Sequence, residues 1–320
     1  MKTHAHIGGR TVRIGLMALL FAILVTSAST FRVQTTSANH PVLVEGNCDS
    51  PVPGTTIVEK GTCGDYDGDG RIGTAEDTDG ADRIFGTLVA ALGPGTGAAA
   101  GTGANQNGRV TIVRSGRFAE QIVIGAPVSG LQGGVATFGN VTLEAAPGVE
   151  ANIDAVLQGD PAGGNNTRQG QSGIVINLTD TTHVVQLRNL VIRNWAIGIA
   201  NAAFSRLVVD NCRIENNLNH GIIGLEATTT VITNSQINGN GYRSGTAGGT
   251  PTPGNGVTAA NAAQIRISDT TVAHNFGTGV ANNTGGPGYI SVFHLSAYFN
   301  NGGNLSGSIG LNNNDAVAQE

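Results

Sequence analysis

The sequence predicts an all-β solenoid, a single-stranded parallel β-helix of about eight or nine coils with an amphipathic helix over its N-terminal end. Three observations carry this reading. Similar segments recur through the second half of the 320-residue chain at steps of 22 and 23 residues. Within them, short β-branched runs alternate with polar residues and stop at Asn or Gly, which reads as strand and turn rather than helix. The composition agrees: 49 glycines, 39% apolar residues and 12% charged ones make a chain too apolar for global disorder. The glycines have no Gly-X-Y period, which excludes collagen.

Taken in order, residues 1–30 read as a secretory signal peptide. Lys2, Arg10 and Arg13 precede an apolar run of 12 residues, Ile14 to Val25, and then the small residues Thr26 to Thr30. The run is short of the ~20 residues a spanning helix needs. The expected location is therefore secreted or extracellular, or periplasmic in a Gram-negative source, with no membrane partner once the signal is cleaved. An uncleaved anchor is the alternative. Removing residues 1–30 takes away three cations and no acid, so the net charge falls from −5 to −8. A nucleic-acid binder would show a basic footprint instead. Lys60 is the one lysine left, which rules out a lysine base in the repeats.

Residues 31–107 form an N-terminal segment. Cys48 and Cys63 stand 15 residues apart and could close a small loop in an oxidising compartment. Asp65, Asp67 and Asp69, with Gly70, Arg71 and Glu76, match the spacing of the 12-residue EF-hand loop (65–76). The three aspartates fall at positions 1, 3 and 5. The Arg71 carbonyl falls at position 7, and Glu76 is the bidentate ligand at position 12. Hard oxygen donors in this order suit Ca²⁺. Residues 51–64 do not read as an entering helix, so the loop resembles the single calcium loops of dockerin-type segments; the bland alternative is an acidic surface turn. Residues 81–92 place Ala81, Ile84, Phe85, Leu88, Val89 and Leu92 on one helical face, a cap for the exposed end of a solenoid. The Gly/Ala-rich stretch 93–107 reads as a flexible connection.

The β-helix is expected over 108–320. Ile192, Ile214, Ile237 and Val272 correspond at steps of 22, 23 and 35 residues, the last step containing the insertion 242–255. Further columns are Gly198, Gly221, Gly256 and Gly279; Asn189, Asn211, Asn234 and Asp269; and Asn194, Asn217, Asn240, Asn275 and Asn300. Residues of equal phase stack at the ~4.8 Å strand spacing. Isoleucines then fill the bore, and asparagines bond from coil to coil and tolerate left-handed turns. Cys212 reads as a small core residue rather than a reactive thiol.

The segment SGRFAEQIVI (115–124) resembles the opening coil of pectin-lyase-like right-handed β-helix proteins. With the repeats at 187–300, the resemblance covers about two thirds of the chain. It implies a right-handed helix. It implies little about activity, because that superfamily includes polysaccharide lyases, hydrolases, esterases, epimerases and proteins of no known activity. The paired aspartates of polygalacturonases, the motifs of pectin methylesterases and those of alginate epimerases are missing from this sequence. Glu120 belongs to the opening-coil motif and reads as structural.

Candidate chemistry is scattered. By register, Arg188 stacks on Asp210 and Arg193 on Glu215, which reads as two surface ion pairs of little worth. Asp210, Arg213 and Asp269 are the weak catalytic candidates. Trp195, His220 and Arg243 are ligand-binding candidates, Trp195 because an aromatic face stacks on a sugar. His220 and His274 are out of phase, against a two-histidine metal site. The expected function is an exported β-helix protein that binds extracellular or cell-wall polysaccharide, acidic glycans among them. The alternatives are a lyase or glycoside hydrolase acting on acidic glycans such as pectin, and an adhesive surface solenoid.

Overall fold

A computed structural model describes residues 42–45, 83–92, 108–125, 134–135, 140–155, 172–178, 182–241, 254–284, 288–293, 297–299 and 301–311. The apolar leader, Cys48 and Cys63, the 65–76 loop, the 93–107 connection and Arg243 lie outside the described residues.

The described chain winds through three parallel sheets, and each coil gives one strand to each. Coil three runs through Val184–Arg188, Leu190–Arg193 and Ile197–Ala202. Coil four follows with Arg206–Asp210, Arg213–Glu215 and His220–Gly224, and coil five with Thr229–Thr233, Gln236–Asn238 and Val257–Ala260. The second sheet has seven strands, so seven coils are complete among the described residues, and Ile309–Leu311 opens an eighth on the first sheet. The expected eight or nine coils assume an even step of 23 residues, and the coils are unequal. The step is 22 residues from Val185 to Leu207 but 44 from Val141 to Val185 and 35 from Thr230 to Ile265.

The core follows the repeat. Ile192 pairs with Ile153 on one side and Ile214 on the other, Ile214 with Ile237, and Ile237 with Val272. All five are buried in one continuous cluster. Alternation along each strand sends these side chains inward and their neighbours outward. The glycine column is steric. A Cβ on Gly198 would stand 2.6 Å from the Gly221 carbonyl oxygen of the next coil.

Asn189, Asn211, Asn234 and Asp269 turn the chain from the first sheet to the second with φ of 58°, 51°, 51° and 49°. Asparagine and aspartate occupy this left-handed region more readily than branched residues do.

The inner asparagine column is shifted by one residue at each end. Its members are Asn217, Asn240, Asn275 and Asn301, joined by amide-to-amide bonds of 2.9, 3.0 and 2.8 Å. Asn194 is instead a turn residue with φ 64°, and Asn300 lies outside the described residues. Trp195 heads the column. Its indole N–H donates to the Ile153 carbonyl at 3.0 Å, the bond that Asn240 Nδ2 makes to Ile214 O and Asn275 Nδ2 to Ile237 O.

The cap differs from the expected helix. Among the described residues of 81–92, Leu88–Leu92 is helical and Arg83–Phe85 is a strand, paired with Val42–Val44, which itself pairs with the first coil. The unpaired edge of the first sheet satisfies its backbone better with a strand than with another helical turn. Leu88 and Leu92 still close the core, and the Glu120 carboxylate accepts the Leu88 and Val89 N–H groups at 3.1 and 2.9 Å.

Candidate functional site

The corner between the first and second sheets carries the candidate site. Coils three to five turn it in one or two residues: Asn189, then Asn211-Cys212, then Asn234-Ser235. Coil two takes five, Ala146 to Glu150. Pro147-Gly148 sits at the centre of a tight turn in which Val149 N–H donates to Ala146 O at 3.0 Å. Gly148 has φ 82°, as the third residue of a type II turn requires. The long turn rises beside the short ones and leaves a groove of about 520 Å³.

Val191 is the apolar residue of its floor and Val149 of its wall, while Leu190 beneath belongs to the core. Its rim is polar: Asn189, Asn211, Asn234, Arg213 and Gln236. Asn211 Nδ2 donates to Asn189 Oδ1 at 2.8 Å and Asn234 Nδ2 to Asp210 Oδ1 at 2.9 Å, which fixes the amides and leaves the Asn211 and Asn234 Oδ1 atoms without a protein donor among the described residues. An apolar floor with a few fixed polar groups is the ordinary make-up of a small-molecule site.

Arg213 also ends a zigzag of charge on the outer face of the second sheet. Arg213 reaches Glu215 at 3.0 Å, Arg193 reaches Glu215 at 3.8 Å and Asp154 at 3.0 Å, and Arg117 reaches Asp154 at 3.5 Å. Asp154 is the buried member, and Asn194 Nδ2 donates to it at 2.8 Å. The expected Arg193–Glu215 pair is present, but the shorter contact is to Asp154, which the sequence reading passed over. Arg188 and Asp210 stack as expected, 3.8 Å apart.

The candidate residues do not converge. Asp210 ends a strand of the first sheet and accepts from Thr233 Oγ1 at 2.8 Å. Asp269 is an exposed turn residue in a different column. Trp195 has no exposed surface and so offers no face for a sugar to stack on; its column position puts the ring inside the coil. His220 lies on the third sheet, where Nδ1 accepts from Asn255 N–H at 3.2 Å and sits 3.3 Å from Thr258 Oγ1. Burial lowers its pKa, which favours the neutral ring that this acceptor role needs. Cys212 lies beneath the groove, buried as expected, with its thiol pushed up to about 12 by desolvation. It is inert at neutral pH. No group of three metal-ligating side chains occurs among the described residues.

The groove wall, Val191 and Gln236 were missed by sequence reasoning. The signal was present as the Pro147-Gly148 dipeptide, a turn marker inside an alternating run. Its effect depends on the shorter turns of the next three coils.

A family model described as the right-handed β-helix region matches residues 134–316. No curated protein matches the chain. Among solved structures, the crystal structure of pectate lyase Pel9A is similar, with 14% identity and a TM-score of 0.44 over 84% of this chain and 56% of that one. The chain thus spans little more than half the length of that protein.

Proposed function

The chain belongs to the right-handed β-helix family, and on that premise we propose that it is an exported protein that binds an extracellular or cell-wall polysaccharide. The observation that carries this reading is the groove, whose amide rim suits a sugar's hydroxyl groups and whose apolar residues Val191, Val149 and Pro147 suit its C–H faces. The leader supports export. Asp65, Asp67, Asp69, the Arg71 carbonyl and Glu76 are the donors that would hold Ca²⁺ in the N-terminal segment, where the ion would tie the loop before the cap and take no part in sugar recognition.

The test is retention of the mature chain on immobilised neutral and acidic polysaccharides, with Ca²⁺ and with chelator, followed by product masses. Retention on at least one glycan, reduced tenfold or more in Arg213→Ala, is expected. No retention on any glycan would sink the reading. Fragments bearing an unsaturated uronate, or fragments that have gained water, would replace it with a lyase or a hydrolase. Calcium is expected to raise the melting temperature, and Asp65→Ala to abolish that rise.

A further inference from the structure

The groove is closed at one end. The wall Ala146–Glu150 is tied to the first coil from behind, because Gly116 N–H donates to Glu150 O at 3.1 Å and Glu150 N–H to Ser115 Oγ at 2.9 Å. What stops the groove at this end is the five-residue turn itself, which lines it from Ala146 to Glu150. On the other side, coils three to six all turn the corner in one or two residues, ending with Asp269-Thr270, so no turn of comparable length obstructs the trough across those coils. A trough shut at one end and open at the other admits the end of a polymer and excludes its middle.

Its length and charge are also set. Asn189, Asn211 and Asn234 succeed one another at the coil spacing of about 4.8 Å, so the amide row spans roughly 10 Å. That spacing is of the order of one ring in an extended β-linked glycan. The lining carries one cation, Arg213, and one acid, Glu150, and Arg213 is already bonded to both Glu215 oxygens at 3.2 and 3.0 Å. The one cation of the lining is thus spent on Glu215, and the Glu150 carboxylate adds negative charge that repels a uronate or a sulfate. Asn211 Oδ1, Asn234 Oδ1 and the Gln236 amide have no partner among the described residues and face outward as hydroxyl acceptors and donors.

We propose that this groove captures the end of a neutral, β-linked glycan chain, laid along the coil axis with its terminal ring against Pro147–Val149. The proposal rests on the polysaccharide-binding reading and narrows it to a chain end and an uncharged sugar.

The experiment is titration calorimetry of the mature chain with linear gluco-, xylo- and manno-oligosaccharides of increasing length, with a cyclic β-glucan and with linear oligogalacturonides. For at least one neutral series, affinity is expected to rise up to about three units, the span of the amide row, and then to level off. The cyclic glucan, which has no end, is expected not to bind. Asn211→Gly with Asn234→Gly keeps the left-handed turns and removes the amides; it is expected to weaken binding tenfold or more while the melting temperature stays within a few degrees. Affinity that keeps climbing with length, or equal binding of the cyclic glucan, would overturn capture of an end. Tighter binding of the oligogalacturonides would overturn the neutral assignment. Unchanged binding in the glycine pair would move the site elsewhere and leave the polysaccharide reading intact. That broader reading falls only if no glycan is retained at all.

Discussion

Asn240 shows what a single buried amide does in a solenoid. It accepts from Asn217 N–H and Nδ2 at 3.1 and 2.9 Å, while its own N–H and Nδ2 donate to Asn275 Oδ1, both at 3.0 Å. Nδ2 also reaches Ile214 O at 3.1 Å. It has no exposed surface, so truncation strands donors and acceptors on both neighbouring coils where water does not enter. Leaving a buried polar group unsatisfied costs about 1–3 kcal/mol. Asn240→Ala is therefore expected to destabilise the chain by about 3 kcal/mol or more, measured by urea unfolding. Asn301→Ala, at the half-buried end of the row, is expected to cost less, about 1 kcal/mol, since it strands groups toward one neighbouring coil only. Equal losses at the two positions would refute the claim that partners on both sides matter.

The long coil-five connection illustrates how an element tolerates insertion. Gly241 and Gly254 meet at its base: a Cβ on Gly241 would lie 2.1 Å from the Gly254 carbonyl oxygen. Gly241 N–H donates to Asn217 O at 2.7 Å, and Gly277 N–H to Gly254 O at 2.8 Å. Both ends of the insertion are thus held by the coils above and below, and residues 242–253 between them lie outside the described residues. Deleting residues 242–253 would reduce the 35-residue step between Ile237 and Val272 to 23, the step already used between Ile214 and Ile237. The shortened chain is expected to keep its β-sheet circular dichroism and to melt within a few degrees of the parent. Loss of cooperative melting would mean that the insertion itself stabilises the coils.

Each coil of the stack pairs only with its neighbours, so stability is close to a sum of coil and interface contributions. Arg206 pairs with Thr229; excising residues 206–228 therefore removes one whole coil and joins coil three to coil five in register. Trp195 then heads a row that starts at Asn240. The shortened solenoid is expected to fold and unfold cooperatively. Its denaturant slope should fall by about one part in seven, because that slope scales with the surface exposed on unfolding. The same excision removes Asn211 and Arg213, so it should also abolish glycan retention. A chain that fails to fold would show that the stack is not modular.

The coil architecture was legible in the chain itself because a β-helix repeats one local problem. Inward positions need Ile or Val, close approaches need Gly, and left-handed corners need Asn, so Ile192, Gly198 and Asn189 announce their roles at every recurrence. Features without a recurrence were read less well. Ile84 and Phe85 carry helical spacing, yet they form a strand because the open sheet edge beside Val42–Val44 offers backbone partners. Trp195, a lone Trp beside a turn, suggests packing, with a sugar platform as the alternative, but nothing in its sequence neighbourhood tells that the indole N–H takes the place of an asparagine amide. The groove belongs to this second group. It exists because one five-residue turn stands next to three short ones, and turns some 40 residues apart in sequence become neighbours only when the coils stack. Local chemistry is written residue by residue, whereas a concave surface depends on differences in height between coils, which only stacking creates.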